Sequence, residues 1–120
     1  MYIGGAADNS FGYTQSSSGV GAGVSAMTGT WHYLVTARNG LAVTVYLDGV
    51  SLGSGNLPGN ESVSFGYLGA RNCCAGLYYN GALDEVRLSN VVRSADWVST
   101  EYKNQQSPST FYGVGNDVVP

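Results

Sequence analysis

Few residues of this chain could carry chemistry. His32 is its only histidine. A hydroxyl–imidazole–carboxylate triad would need that ring in an open cleft, oriented by an acid. Instead it stands between Trp31 and Tyr33 in a run of strand-forming residues. That context predicts a packed or cross-strand-paired imidazole. Glycoside hydrolysis needs two carboxylates bracketing the scissile bond. Asp84 and Glu85 are neighbours, so a regular strand sends them to opposite faces, and no acid follows either at i+2. The expectation is a chain with no catalytic residues.

Three further groups suggest binding or structure. Strand parity places Asp84 with Val86 and Leu88, and an acid on a mainly apolar face needs a partner. That partner is either a set of loop N–H donors or a Ca²⁺ ion, which takes several oxygens, carbonyls included. Asp8, Asn9, Asn60 and Glu61 are loop oxygens that could complete such a cage. Cys73 and Cys74 are the only cysteines and are adjacent, so they build neither a spaced disulfide framework nor a four-ligand zinc site. Two free thiols, an intermolecular bridge, and a vicinal disulfide in a strained ring all remain open. With Asn72 and Gly76 beside them and Tyr78 and Tyr79 just after, they sit in a loop that could hold a sugar by ring stacking. Asn60-Glu61-Ser62 is a match to the glycosylation sequon.

Composition bounds what these residues can serve. The chain has 120 residues, one domain's length, with 11% charged residues and 18 glycines. Its net charge is −3 with no Lys/Arg cluster, which argues against a nucleic-acid surface. No apolar run reaches the ~18 residues of a membrane span. At 43% hydrophobic residues the chain is too apolar to be disordered throughout. Met1-Tyr2-Ile3-Gly4-Gly5 has neither the basic nor the apolar region of a signal peptide.

The positioning elements read as follows. Residues 4–30 are Gly/Ser-rich, with one or two short strands around Phe11 and Tyr13 and a turn at Ser16-Ser17-Ser18-Gly19. Residues 30–37 and 41–47 form a hairpin across Asn39-Gly40, and Asp48-Gly49 turns the chain into residues 50–52. Leu41, Val43, Val45 and Leu47 share one face, and Ala42, Thr44 and Tyr46 the other. Apolar bulk on both predicts a central hairpin covered on both sides. Residues 54–61 read as a loop, and 63–68 and 82–89 as two more strands. Ser94 caps a helix running to about Asn104, with Asp96 in its first turn. The i,i+4 pair Val98 and Tyr102, with Trp97 beside it, docks that helix on the strands. Ser107-Pro108 ends it, and residues 107–120 read as a loosely structured tail. The expected fold is all-β, an antiparallel jelly-roll-type sandwich with one short C-terminal helix.

Four segments in order carry a family resemblance. They are Gly29-Thr30-Trp31-His32-Tyr33, Tyr46-Leu47-Asp48-Gly49, Gly69-Ala70-Arg71, and the run from Gly81 to Asn90. Together they resemble the laminin-G-like, concanavalin A-like lectin/glucanase superfamily. The ending Arg93-Ser94-Ala95-Asp96-Trp97-Val98, with Glu101-Tyr102-Lys103-Asn104-Gln105 and Ser107-Pro108-Ser109-Thr110-Phe111-Tyr112, is similar to modules that follow a DUF2341-type domain in bacterial secreted proteins. The resemblance spans residues 29–112.

It implies a non-catalytic carbohydrate-binding or adhesion module of a secreted or cell-surface bacterial protein. The superfamily's hydrolases carry a Glu-x-Asp-x-x-Glu strand, which this chain lacks. The implied ligand is a glycan or cell-surface polysaccharide, held at Asn72, Cys73, Cys74, Tyr78 and Tyr79, with a structural Ca²⁺ at Asp84. An extracellular setting favours the vicinal bridge. Trp31, His32, Asp48 and Trp97 are assigned structural roles. Related modules are longer ahead of the Trp-His strand, so the chain reads as lacking part of their front half. Uncovered strand edges then predict a homo-oligomer, and a self-assembling structural subunit is the alternative reading.

Overall fold

The computed structural model describes residues 2–3, 13–15, 18–20, 29–59, 68–69 and 78–111. Its best-built unit is the antiparallel sheet β4-β5-β6, formed by β4 (Leu34–Asn39), β5 (Ala42–Leu47) and β6 (Val50–Asn56). A second sheet joins three short strands, β1 (Tyr2–Ile3), β2 (Tyr13–Gln15) and β3 (Ser18–Val20), in the order β1-β2-β3. The β3 backbone approaches both β5 and β6.

Turn chemistry sets the register of the larger sheet. Leu47 pairs with Val50, leaving Asp48-Gly49 as a two-residue loop. Both residues have positive φ, +50° and +79°, as a type I′ turn requires. The first hairpin turns one residue later than the expected Asn39-Gly40. Asn39 pairs with Ala42, so Gly40 and Leu41 are the central residues. Only Gly40 has positive φ, +60°. A loop with glycine first at positive φ matches the strand twist as well as an Asn-Gly turn does, so the glycine decides the position. β6 runs on to Asn56, through residues expected in a loop. A bulge opposite Val45 and Tyr46 bends it.

The core lies on β5. Val43 and Val45 are fully buried and cluster with Leu57, with Leu34 and Leu52 packed against them. On the opposite face Tyr46 is also buried. β5 is therefore covered on both sides, as its two apolar faces required.

Helix α1 (Ala95–Gln106) begins where the cap signal places it. Ser94 is extended, and its Oγ accepts the Trp97 N–H at 3.2 Å. Asp96 lies in the first turn and Lys103 in the last, both favourable to the helix dipole. Val98 is its one buried residue. The Tyr102 ring stacks on Tyr33, with centroids 6.4 Å apart. Trp97 departs from its expected docking role. It is 37% exposed and lies 4.8 Å beneath the Arg93 guanidinium, a cation–π contact on the outer side of the helix.

Three further expectations are corrected. Pro108–Phe111 forms a short helix, α2, within the expected tail, with Pro108 at its first position, where a missing N–H costs nothing. The strand expected at 30–37 starts only at Leu34, because residues 32 and 33 turn their polar groups toward Asp48. Residues 82–89 are not a strand: every one is exposed, and Glu85 has a φ of +51°. Among the described residues no strand pairs with this segment, and alternation alone does not make a strand without a ladder partner. The strand expected at 63–68 lies outside the described residues except for Leu68.

Candidate functional site

Two polar constellations and one aromatic edge stand out. The first joins the lead-in of β4 to the I′ turn. His32 Nδ1 lies 2.7 Å from Asp48 Oδ2, and His32 Nε2 lies 3.0 Å from Thr30 Oγ1. Asp48 Oδ1 accepts the Tyr33 N–H at 2.9 Å, while the Asp48 N–H donates to the Tyr33 carbonyl at 2.8 Å. A hydroxyl, an imidazole and a carboxylate thus lie in line, the order of a nucleophilic triad. The surroundings argue for a clasp instead. The His32 side chain is 11% exposed, with both ring nitrogens engaged. Asp48 is held on both oxygens and on its own backbone. Trp31, assigned a structural role by its place in the motif, is 70% exposed and outside the core.

The second constellation ties residues 82–89 to α1. Arg87 Nη2 lies 2.6 Å from Glu85 Oε2, and Arg87 Nη1 pairs with Glu101 Oε1. The Glu85 and Glu101 carboxylates hold the Arg87 guanidinium above its ordinary pKa. Glu101 also acts on Tyr33. Burial first, and the Glu101 carboxylate second, push the Tyr33 phenol above its ordinary value of 10.0, against an opposing pull from Arg87. At pH values below that of free tyrosine, folded and unfolded chains both keep this proton. Above it the unfolded chain loses the proton first, so stability falls as the solution becomes more alkaline. Tyr33→Phe is expected to flatten the loss of urea midpoint as the pH rises above ~10, relative to wild type.

The aromatic edge is built from Tyr78 and Tyr79. Tyr78 is 73% exposed and Tyr79 is more than half exposed. The Tyr79 N–H donates to the Gly69 carbonyl at 2.6 Å, anchoring the pair to the residue 68–69 bend. Gly81 backs onto the Tyr79 ring so closely that a Cβ there would fall 2.8 Å from its Cε1, Cζ and hydroxyl. Tyr79 is therefore braced by its own loop while Tyr78 presents its ring outward. Leu68 and Leu83 are exposed beside them. Asn72, Cys73 and Cys74, the other residues expected at this edge, lie outside the described residues.

Asp84 is exposed, and its Oδ1 accepts the Glu85 N–H at 2.8 Å. Of the oxygens considered for calcium it alone is described. Among the described residues no three His, Cys, Asp or Glu side chains converge to hold a metal ion. Also among the described residues, no helix is long and apolar enough to cross a membrane.

Comparison with known proteins places the architecture. Residues 221–444 of an S-layer domain-containing protein from Clostridium thermocellum superpose with a TM-score of 0.55 at 22% identity. The match covers 77% of this chain and 50% of that one, so this chain spans half the length of that structure. No curated protein sequence matches this chain. The laminin-G-type family model described as the concanavalin A-like lectin/glucanases superfamily matches residues 2–99. That span holds the Trp-His lead-in, the Asp-Gly turn and the start of α1, and the chain belongs to this superfamily.

Proposed function

We propose that this chain is a non-catalytic carbohydrate-binding or adhesion module of a secreted or cell-surface bacterial protein, built as a jelly-roll sandwich. The exposed Tyr78–Tyr79 pair, braced at Gly69 and Gly81, carries this reading. A tyrosine ring offers a flat apolar face to the C–H side of a pyranose and a hydroxyl to its rim, at low entropy cost. Asn72, Cys73 and Cys74, a few residues before it in sequence, belong to the same proposed site as polar contacts. The superfamily includes both lectins and glucanases. The non-catalytic reading is supported by Asp84 and Glu85, whose oxygens are engaged in a local turn and an ion pair. The S-layer relative supports a surface setting.

A glycan array probed with the intact chain tests the reading. Retention of a defined class of polysaccharide by wild type, lost in Tyr78→Ala, is the expected result. Binding to no glycan at millimolar ligand, or equal binding by the variant, would show that Tyr78 is not a sugar platform.

A second reading, a self-assembling structural subunit, is favoured by one observation. Leu83, Val86, Leu88, Val91 and Val92 form an exposed apolar run within ten residues of sequence.

A further inference from the structure

The sequence contains two Asn-Gly pairs, Asn39-Gly40 and Asn80-Gly81. In such a pair the main-chain nitrogen of the second residue can close a five-membered ring on the side-chain carbonyl carbon of the first. Glycine has no Cβ to crowd that nitrogen. This chemistry is one reason asparagine counts as thermolabile. Every other asparagine precedes a residue with a side chain.

The fold separates the two pairs. All four residues are exposed, so access to solvent does not distinguish them. Their backbones do. Asn39 is the last residue of β4 and pairs with Ala42. Strand backbone has a ψ of about +135°, which turns the next nitrogen away from the ring plane, so closure must first open that rung. The Arg38 Nε–H also donates to the Gly40 carbonyl at 2.8 Å, which pins the turn. Asn80 lies outside the strands and helices, and Gly81 stands in a bend. Ring closure there leaves every ladder of the two sheets intact.

We propose that Asn80-Gly81 is a site of spontaneous self-modification, which converts Asn80 to isoaspartate and aspartate and loosens the Tyr79 brace. The Gly81 nitrogen gives its proton to solvent and attacks Asn80 Cγ. A bond forms from that nitrogen to Cγ, and the bond from Cγ to the side-chain nitrogen breaks. The side-chain nitrogen leaves as ammonia, taking a proton from water. Water then adds to either carbonyl carbon of the succinimide ring, which opens to isoaspartate or aspartate. The sum is one water consumed and one ammonia released, with nothing oxidised or reduced. Both products add a negative charge, and isoaspartate adds a methylene to the main chain ahead of Gly81. Gly81 is seated so closely on the Tyr79 ring that an added Cβ would fall 2.8 Å from its Cε1 and Cζ. A lengthened main chain displaces that seat, next to the Tyr79 N–H bond to the Gly69 carbonyl.

Ageing the intact chain in mildly alkaline buffer at body temperature, followed by peptide mass mapping, tests this. A one-dalton gain is expected at Asn80, split between an isoaspartate and an aspartate peak. Asn39 is expected to react at least ~10-fold more slowly in the folded chain, and as fast as Asn80 once urea unfolds it. Asn80→Gln, whose larger ring closes far more slowly, is expected to stay unmodified. An Asn80 that reacts no faster than Asn39 in the folded chain, or a mass gain without the isoaspartate peak, overturns the site. The aged chain is separable by anion exchange on its added charge, and its Tyr79 amide is expected to exchange hydrogen at least ~10-fold faster. An unchanged Tyr79 amide overturns the loosening. The carbohydrate reading stands or falls separately, on the array.

Discussion

Gly49→Val is expected to destabilise the fold by roughly 3 kcal/mol, the sum of a backbone penalty and an overpacking penalty. Gly49 is the second central residue of the I′ turn, at a φ of +79°. A β-branched residue there is a genuine outlier. The space is also closed: an added Cβ would lie 3.1 Å from Tyr102 Cδ1 and 3.3 Å from Ser99 Cα. The tyrosine could rotate, but the Ser99 backbone cannot move without shifting α1. Turn and helix are thus in contact through a missing side chain. Urea unfolding followed by far-UV circular dichroism reads the loss as a lower midpoint at unchanged slope. A change below about half a kilocalorie per mole, the scatter of ordinary surface substitutions, would mean that α1 does not rest on the turn.

Asp48→Ala is the second large effect, at about 2–4 kcal/mol, because it leaves two donors of a half-buried turn without their charged acceptor. The carboxylate accepts the Tyr33 N–H at 2.9 Å and bonds His32 Nδ1 at 2.7 Å. It also belongs to a residue type that tolerates its φ of +50°. Alanine removes all three contributions. Asp48→Asn keeps the turn preference and one acceptor, so it is expected to recover part of the loss. In a His32→Ala background the same Asp48→Ala change should cost less, since half of the network is already gone. Strict additivity in the double-mutant cycle would contradict a coupled clasp.

The clasp is legible only once the register is known, because the expected Asn39-Gly40 turn would set Trp31, not Tyr33, opposite Asp48. The Asp48-Gly49 loop sets Leu47 opposite Val50, and the Gly40-Leu41 loop sets Leu34 opposite Leu47. Carrying that register one step beyond the strand brings Tyr33 beside Asp48, with His32 next to it. The helix was legible because its signals are local: Ser94 at the cap, Asp96 in the first turn, and Val98 facing inward. The exact turn of the first hairpin was not, because Asn39 and Gly40 can occupy adjacent loop positions and only the register chooses between them.

Residues 82–89 show the opposite limit. Their alternation is real, but a strand is a relation between two backbones, and one segment's pattern cannot name its partner. Arg87 and Glu101 lie 14 residues apart with no local signal joining them. The outward face of Tyr78 was equally hidden, since strand-rich sequences place tyrosines in cores and on surfaces alike.

Calorimetric titration of the array's best glycan decides whether Tyr78 forms a sugar-binding platform. Wild type is expected to bind saturably with a Kd on the order of 0.1–1 mM, as suits one exposed ring and a few polar contacts. Tyr78→Ala should weaken it at least ~10-fold, equivalent to about 1.4 kcal/mol, while the melting temperature stays unchanged. Identical titrations for the two chains, or no saturable heat for wild type, would contradict it.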